Sequence, residues 1–593
     1  MNTPHSISPR SFLRVLCALA LTLMAMAGLA ADAGAYVSPA RAEDAADRGA
    51  NWFRANQETS GSLGTDWAMT ALAAAGVNAA DVSTSLVDPS AQDFYLGEWQ
   101  AEGPGGAGTD AARGILTGVA GGIQPSRLGT AADATKSNLV ARIAELFDGT
   151  QIGEPGLLND DIFGVLALHQ AGAPQPILRE LVDYLRTKQL ADGGWTWNNS
   201  PGAPADTDMT GSVVAAFCAA GVGPADPDLE QALALLHGLQ DPETGGFIAP
   251  PESFGIGVNT DTTSWVTSGL IQCGIDPQGP EWTTAEGKTP LDYLVSLQRP
   301  DGHFDWTDEF AGGAFETHSA VRALGRIGFS SAPPARLDGV SPAVRPAAVV
   351  ADGTTVPITL AIDHGPGADD VRMCRVDVAS GSGLEAVLDA AEAASTPAGC
   401  VVSHATEPSG GGVRVTSLDG VDNGGDYRWR VGVDGAAPSA EATAAIGFGD
   451  LVFLEFGTDV AAPAPAPQVT VPPLKARKRS RAHGPRVLIL RKADLNDGKV
   501  SLRLHCPRGN GGAGCRGVLS IRFRKHPGGR SLAGGSAGFE LASGATRGVA
   551  VSPSAALRRA LDDAPRVRLR IVAATRAEDG SIRLTRARRF LRG

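Results

Sequence analysis

Four stretches of the chain repeat one arrangement of apolar and polar positions. Phe53–Leu63, Leu185–Trp195 and Leu294–Phe304 each place Gln four residues after an apolar position, Gly four residues later, and an apolar or aromatic residue two beyond that (Gln57, Gly61, Leu63; Gln189, Gly193, Trp195; Gln298, Gly302, Phe304). Leu236 to Phe247 repeats it through Gln240 and Gly245 with one residue inserted. The pattern predicts a helix ending near the Gln, a glycine that turns the chain, and a large side chain filling the gap between neighbouring units. A second kind of helix opens six times on an acid: Asp66, Asp110, Asp161, Asp208, Asp261 and Glu316. These segments continue in small apolar residues, as in Met69–Gly76, Val165–Leu168 and Val213–Gly221, and most end near Gly. Between them lie amphipathic stretches such as Ala134–Phe147, Ile177–Leu190 and Leu229–Gln240. Helices that are apolar nearly all round are buried. Six of them ringed by about six amphipathic helices predict an all-α (α/α)6 toroid barrel over residues 43–330. A linear solenoid is the alternative, and the lack of a capping repeat suits closure better.

Beyond residue 345 the period changes from helical to alternating. Val356–Ile362 and Tyr427–Val433 read as strands, Ile446–Phe456 as the segment that closes the module and Leu384–Ala394 as one helix, so residues 346–458 predict a small α+β, β-rich domain. Ala461–Pro467 is a polyproline-type spacer, and Lys475–Arg481 a solvated charge run; together they make a linker over 459–485. Lys499–Leu504, Val518–Phe523 and Val567–Ile571 alternate again, with Arg on the polar side. Residues 486–593 therefore predict a C-terminal β-sandwich. At the other end, Arg10 and Arg14 precede an apolar stretch from Val15 to Ala31 and A-x-A-like sites to Ala35. This reads as a secretory signal peptide over residues 1–35, with an uncleaved anchor as the alternative.

Length and charge sharpen this picture. A chain of 593 residues exceeds one domain, and 43% hydrophobic content excludes a mainly disordered protein. The formal charge of −13 conceals a division: Lys475–Gly593 carries 28 Lys/Arg and 7 Asp/Glu, a net of +21, and the remainder carries −34. An acidic body with a basic tail points to an anionic partner for the tail, an anionic cell-wall polymer or a membrane surface, or else to internal compensation. Nucleic acid is the weaker reading, because base-stacking aromatics are almost absent from the tail. Cys17 leaves with the signal. Six cysteines remain, an even number for an oxidising compartment. Cys506 and Cys515 bracket a Gly-rich loop and predict one disulfide; Cys374 with Cys400 is a second, and Cys218 with Cys273 a possible third. No C-x-x-C spacing or neighbouring His pair supports a metal site, so none is expected.

The Gln–Gly–aromatic pattern resembles the QW-type repeats of the terpenoid cyclase and protein prenyltransferase α/α-toroid superfamily. That resemblance implies the toroid fold and leaves the chemistry open. Asp206-Thr207-Asp208-Met209 looks like the Asp-x-Asp-Asp acid of squalene-hopene-type cyclases, with Met209 in place of the last Asp. Asp261-Thr262-Thr263 with His318 is similar to the zinc site of protein prenyltransferases, with Thr263 where a thiolate is needed. No Cys-Gly-Glu-Gln thioester is present. The barrel is therefore expected to be non-catalytic. The six acids have two readings, which are compatible: helix caps, or the rim of a ligand cup shared with Trp67, Trp265 and His318. His318 is the one candidate for a metal contact to a ligand, against the plainer reading of a hydrogen-bonded core His.

Trp429-Arg-Val431-Gly-Val433-Asp434-Gly435 with Gly449-Asp450-Leu-Val452-Phe-Leu454-Glu-Phe456 resembles the C-terminal domain of transcobalamin and intrinsic factor. Family members often have Asn where Asp434 stands. Trp429 and Asp434 are the candidates of this module, against the plainer reading of Trp429 as core. A secreted barrel followed by this module is the domain order of cobalamin carriers, and the resemblance implies a corrinoid held between the two. The expectation is a secreted, non-catalytic binding protein for a bulky ligand, with cobalamin possible as that ligand and no catalytic cofactor. The alternatives are a cell-surface scaffold with an empty barrel and a toroid enzyme of the terpene cyclase type.

Overall fold

A computed structural model of the chain describes residues 37–83, 89–198, 202–250, 257–336, 350–365, 371–394, 400–443, 445–458, 487–496, 498–508, 514–523, 532–563, 566–576 and 582–592. The predicted signal peptide (1–35) and the whole of the linker (459–485) lie outside them.

Among the described residues the first half holds thirteen α-helices: α1 (Pro39–Ser60), α2 (Ala68–Ala74), α3 (Ala91–Ala101), α4 (Gly108–Ala120), α5 (Ala134–Ser137), α6 (Leu139–Leu146), α7 (Leu158–Gln170), α8 (Gln175–Arg186), α9 (Thr207–Ala219), α10 (Pro227–Gly238), α11 (Thr260–Gln272), α12 (Pro290–Ser296) and α13 (Ala314–Leu324). The small-residue helices α2, α4, α7, α9, α11 and α13 touch one another in sequence order, and α13 touches α2 again. The amphipathic helices lie outside them, α6 against α4, α8 against α7, α10 against α9, α12 against α11, and α1 against both α13 and α2. One amphipathic stretch differs from expectation. Residues 134–147 form two helices, because Asn138 adopts an extended backbone and its side chain caps α6 at the Ala141 amide.

The repeated residues explain the turns. Each repeat Gln donates its amide to the carbonyl of its own Gly: Gln57 to Gly61, Gln189 to Gly193, Gln240 to Gly245 and Gln298 to Gly302. The last three amides also reach the next unit, at the carbonyls of Asp228, Trp282 and Ala45. Gly193 and Gly302 sit at φ of 93° and 107°, where an L side chain is strained. Leu63, Trp195, Phe247 and Phe304 are fully buried. The bond from Gln298 to Ala45, at 2.7 Å, joins the last repeat to the first helix, and the Val37 amide donates to Asp292 at 2.8 Å nearby.

Short strands β1 (Ile248–Ala249) and β2 (Gly257–Val258) pair beside this helical part. Then follow β3 (Thr355–Asp363), β4 (Val371–Ala379), α14 (Leu384–Ala393), β5 (His404–Ser409), β6 (Gly412–Leu418), β7 (Val421–Asp422), β8 (Tyr427–Val433) and β9 (Leu451–Thr458). The sheet order is β4-β3-β9-β8, with β3 and β9 parallel, beside a three-stranded sheet β5-β6-β7. Ala361, Met373, Leu451 and Phe453 of the first sheet pack into the hydrophobic core of the helical part. The last region holds β10 (Leu488–Asn496), β11 (Lys499–His505), β12 (Cys515–Phe523), β13 (Leu532–Leu541), β14 (Thr546–Val551), α15 (Ala555–Asp563), β15 (Arg566–Arg576) and β16 (Ile582–Arg592). Its sheets, β10-β11-β14 and β13-β12-β15-β16, share one core. The cysteines pair as Cys218–Cys273, Cys374–Cys400 and Cys506–Cys515.

Candidate functional site

Two places concentrate unusual chemistry: the interior of the helical ring, and its junction with the sheet β4-β3-β9-β8. Within the ring, Asp261, Trp265 and Ser268 recur along α11 at i, i+4 and i+7, one face of a helix. Phe315, His318 and Arg322 share a face of α13 at i, i+3 and i+7. Arg322 is fully buried. Its Nε donates to the Ser268 hydroxyl at 3.2 Å, while Nη1 and Nη2 are buried without a hydrogen-bond partner. The guanidinium lies 4.3 Å from the Phe329 ring centre, 5.8 Å from Trp67 and 5.9 Å from Trp265, a cation caged by π faces. Phe163 joins this group edge-on to Trp265 at 5.5 Å. Phe329 comes from the segment after α13. Around it, Ser330 donates its amide to Gln272, and the Ser331 carbonyl accepts from Gln170, so this segment spans the C-terminal ends of α11 and α7.

The acids take several roles, and cap formation is not the general one. Only Glu316 behaves as a cap, accepting from the Gly313 amide at 2.6 Å. α11 is capped by Asn259 and α9 by Asp206; α4 and α7 have no side-chain cap. Asp66 and Asp110 are bridged by Arg113, at 3.2 Å each. Burial pushes the Asp66 carboxyl up, with Arg113 opposing. Asp161 is fully buried and accepts from the Ile152 amide at 2.7 Å, with its other oxygen unpartnered. Burial pushes it up to about 8. Asp208 is pushed up to about 7, by burial first and then by Asp206, with the Thr262 hydroxyl opposing. Asp261 is held well above the carboxylate range by burial and by the charges of Glu316 and Asp208. One oxygen of each of these two carboxyls, and the Trp265 indole N–H, are buried without a partner. His318 is fully buried and stacks on Trp67 at 5.5 Å. Its Nδ1 faces the Ala314 carbonyl and its Nε2 the Ser319 hydroxyl, and burial keeps the ring neutral.

The departure from the prenyltransferase motif at Thr263 acquires a reason. Thr210, Thr263 and Thr317 occupy one repeat position, and each hydroxyl accepts the amide of the buried aromatic before it, Trp195, Phe247 and Phe304, at 3.0–3.1 Å. Thr263 is thus a repeat residue that ties a turn to its helix. Among the described residues no three His, Cys, Asp or Glu side chains gather as a metal site.

At the junction, a cleft of about 220 Å³ is lined by Val119, Ile123, Val140 and Gln170 of the helical part and by Asp434, Gly449 and Leu451 of the sheet region. Arg127 spans its rim, donating to Asp450 at 2.7 Å and to Asp434 at 3.2 Å. Asp434 holds φ of 50° and accepts from the Leu451 amide at 2.9 Å. Asn138 donates to the Pro357 carbonyl, and Arg375 pairs with Glu145 at 2.9 Å. Of the module's two candidates, Asp434 lies at the junction and Trp429 does not. Trp429 is fully buried in the sheet's own core, its indole N–H bonded to the Val421 carbonyl at 2.8 Å and its ring against His364 and Phe456. Asp66, Trp67, Asp110, Asp161, Asp208, Asp261, Trp265, Glu316 and His318 do not line the cleft. Sequence reasoning missed Arg127, Arg322, Phe163 and Phe329. Only Arg322 left a signal, a cation in the last turn of a helix that the repeat pattern places among the buried ones.

No family model matches the sequence, and no curated protein matches it. Among solved structures, haptocorrin in complex with Cbi is similar at 12% identity and a TM-score of 0.28, covering 70% of this chain and 97% of haptocorrin. The type II terpene cyclase MstE from Scytonema is similar at 16% identity and a TM-score of 0.33, over 48% of this chain and 98% of its own. The ent-copalyl diphosphate synthase from Streptomyces platensis is similar at 16% identity and a TM-score of 0.30, over 46% of this chain and 50% of its own.

Proposed function

We propose that the protein is a secreted, non-catalytic binding protein that takes a bulky ligand, a corrinoid such as cobalamin, where an (α/α)6 toroid of residues 43–330 meets the β-rich module of residues 346–458. One observation carries the reading. The two segments behind the sequence resemblance, Trp429–Gly435 and Gly449–Phe456, bring Asp434, Gly449 and Leu451 together on the junction cleft, against Arg127 of the toroid. The cleft mixes apolar walls with Gln124, Ser126, Gln170 and Asp434, the composition of a ligand site. Its 220 Å³ is below the ~300–1,000 Å³ of sites that enclose a drug-sized molecule. It therefore takes one edge or pendant group of a corrinoid, with the remainder across the rim at Arg127. Three disulfides suit an extracellular protein.

The test is titration of the full chain with cobalamin, followed by absorbance and calorimetry. Saturable binding at micromolar concentration or tighter is expected, weakened at least tenfold in Arg127→Ala. A folded protein that leaves cobalamin unbound at that concentration moves the reading to a surface scaffold, for which the packed contact of Ala361, Met373 and Phe453 is the supporting feature.

A second reading, a cyclase-type enzyme, has one observation in its favour: Asp208 is a carboxyl pushed up to about 7 beside an aromatic interior. Arg322 opposes it. The π faces of Trp67, Trp265 and Phe329 that would stabilise a carbocation already face a guanidinium. Turnover of an isoprenoid by the wild type and not by Asp208→Asn would establish the enzyme instead.

A further inference from the structure

We propose that the outward face of the sheet β13-β12-β15-β16 docks on an anionic phospholipid bilayer. The adjacent strands β12, β15 and β16 carry eleven arginines and not one Asp, Glu or Lys. Val567, Leu569, Ile571 and Ala573 are buried in the core, so alternation turns the even-numbered positions of β15 outward. Arg566 and Arg568 are exposed there and Arg570 is half-buried. The register places Arg566 opposite Arg592, Arg568 opposite Phe590, and Arg570 opposite both Arg522 and Arg588. Like charges directly across a sheet work against folding. The fourth strand, β13, has one acid, Glu540, and it lies opposite Arg516 at the far end, so the accumulation of arginine at the Arg566–Arg570 end calls for an anion from outside the chain.

Phe590 identifies which anion. Its side chain is 64% exposed, amid a row of arginine positions. A polyphosphate chain has no apolar surface to set against an exposed phenyl ring, and single-stranded nucleic acid would need a series of aromatics to stack on, where this face offers one. A bilayer surface does, because aromatic side chains settle at headgroup level while guanidinium groups bind phosphate. The opposite end of the face is occupied: Arg516, which pairs in register with Arg576, forms an ion pair with Asp44 of α1 at 3.2 Å. The docking end is thus the Arg566–Arg570 end, roughly 25 Å along the strand from that contact.

The experiment is co-sedimentation of the full chain with phosphatidylcholine vesicles, with and without phosphatidylglycerol, at low and high sodium chloride. Binding is expected only with phosphatidylglycerol and is expected to fall at least tenfold as salt rises. Arg568→Ser with Arg570→Ser is expected to weaken it roughly thirtyfold, from about 1 kcal/mol per arginine. Phe590→Ser is expected to weaken it several-fold with the salt dependence unchanged. Arg568→Lys with Arg570→Lys keeps the charge, and its retained binding separates loss of contact from loss of folding. The basic run at Lys475–Arg481 is common to all these proteins, so the differences isolate the sheet. Equal binding to neutral vesicles, or wild-type affinity in the double serine protein, overturns the proposal. So does an inert Phe590→Ser combined with tighter binding to polyphosphate or duplex DNA, which would make the partner a soluble polyanion.

Discussion

Gly269→Ala is expected to destabilise the helical ring by about 3 kcal/mol, at the upper end of the usual overpacking cost. A methyl group at this position of α11 would land on the carbonyl oxygen of Gly211 in α9. Gly211 is itself tight, since a Cβ there would stand 2.8 Å from the Val266 Cα. The two backbones meet with no side chain between them. They cannot splay to make room, because the Cys218–Cys273 disulfide joins the same helices one to two turns further on. Strain that cannot relax appears in the melting temperature. Gly238→Ala is the matched control: a Cβ on that last residue of α10 meets no heavy atom within 4 Å, so the substitution is expected to be neutral or to stabilise by up to ~1 kcal/mol. Thermal unfolding followed by circular dichroism reads both. A Gly269→Ala protein melting with the wild type would remove close backbone contact as the reason for the small residues.

That contact explains why the helical part was legible. Small residues all round a helix, and a turn of Gln, Gly and a large apolar residue four times over, are local signals with a direct physical meaning, and the structure gives each one a bond or a contact. The turns at Gly193 and Gly302 and the buried Trp195 and Phe304 were all readable in one dimension. The site was less so. Asp161 and Asp261 stand at equivalent helix starts, yet one ends beneath the Ile152 amide and the other beside Ser319 and Arg322. Spacing along the chain places a residue on a helix; the partner it meets depends on loops that carry no repeat. Asp434 was found because a motif surrounds it. Arg127 was not, because its partners Asp434 and Asp450 lie more than 300 residues away. Trp429 shows the reverse error, a motif residue whose place in the pattern reflects core packing.

Asp161→Asn is expected to stabilise the protein increasingly as pH rises from about 4 to about 8. In the folded chain burial pushes this carboxyl from 3.8 up to about 8, so over that interval the folded state holds a proton that the unfolded state has released. Stability therefore falls with rising pH, by as much as ~1.4 kcal/mol per unit for this one group. The contribution is fully present below the unfolded value and is lost towards the folded one. Asparagine keeps an oxygen for the Ile152 amide and has no proton to release. Near pH 4 the two proteins are expected to be almost equally stable. At pH 8 the variant is expected to lead by about 4–5 kcal/mol, an upper bound set by the whole shift. Asp208 and Asp261 add slopes of the same sign in both proteins, so the difference between the two curves belongs to Asp161. Denaturant unfolding at pH 4.5, 6, 7 and 8 measures it. Parallel curves would mean that Asp161 is ionised in the folded chain, and that its second oxygen, unpartnered here, finds a cation or water in solution.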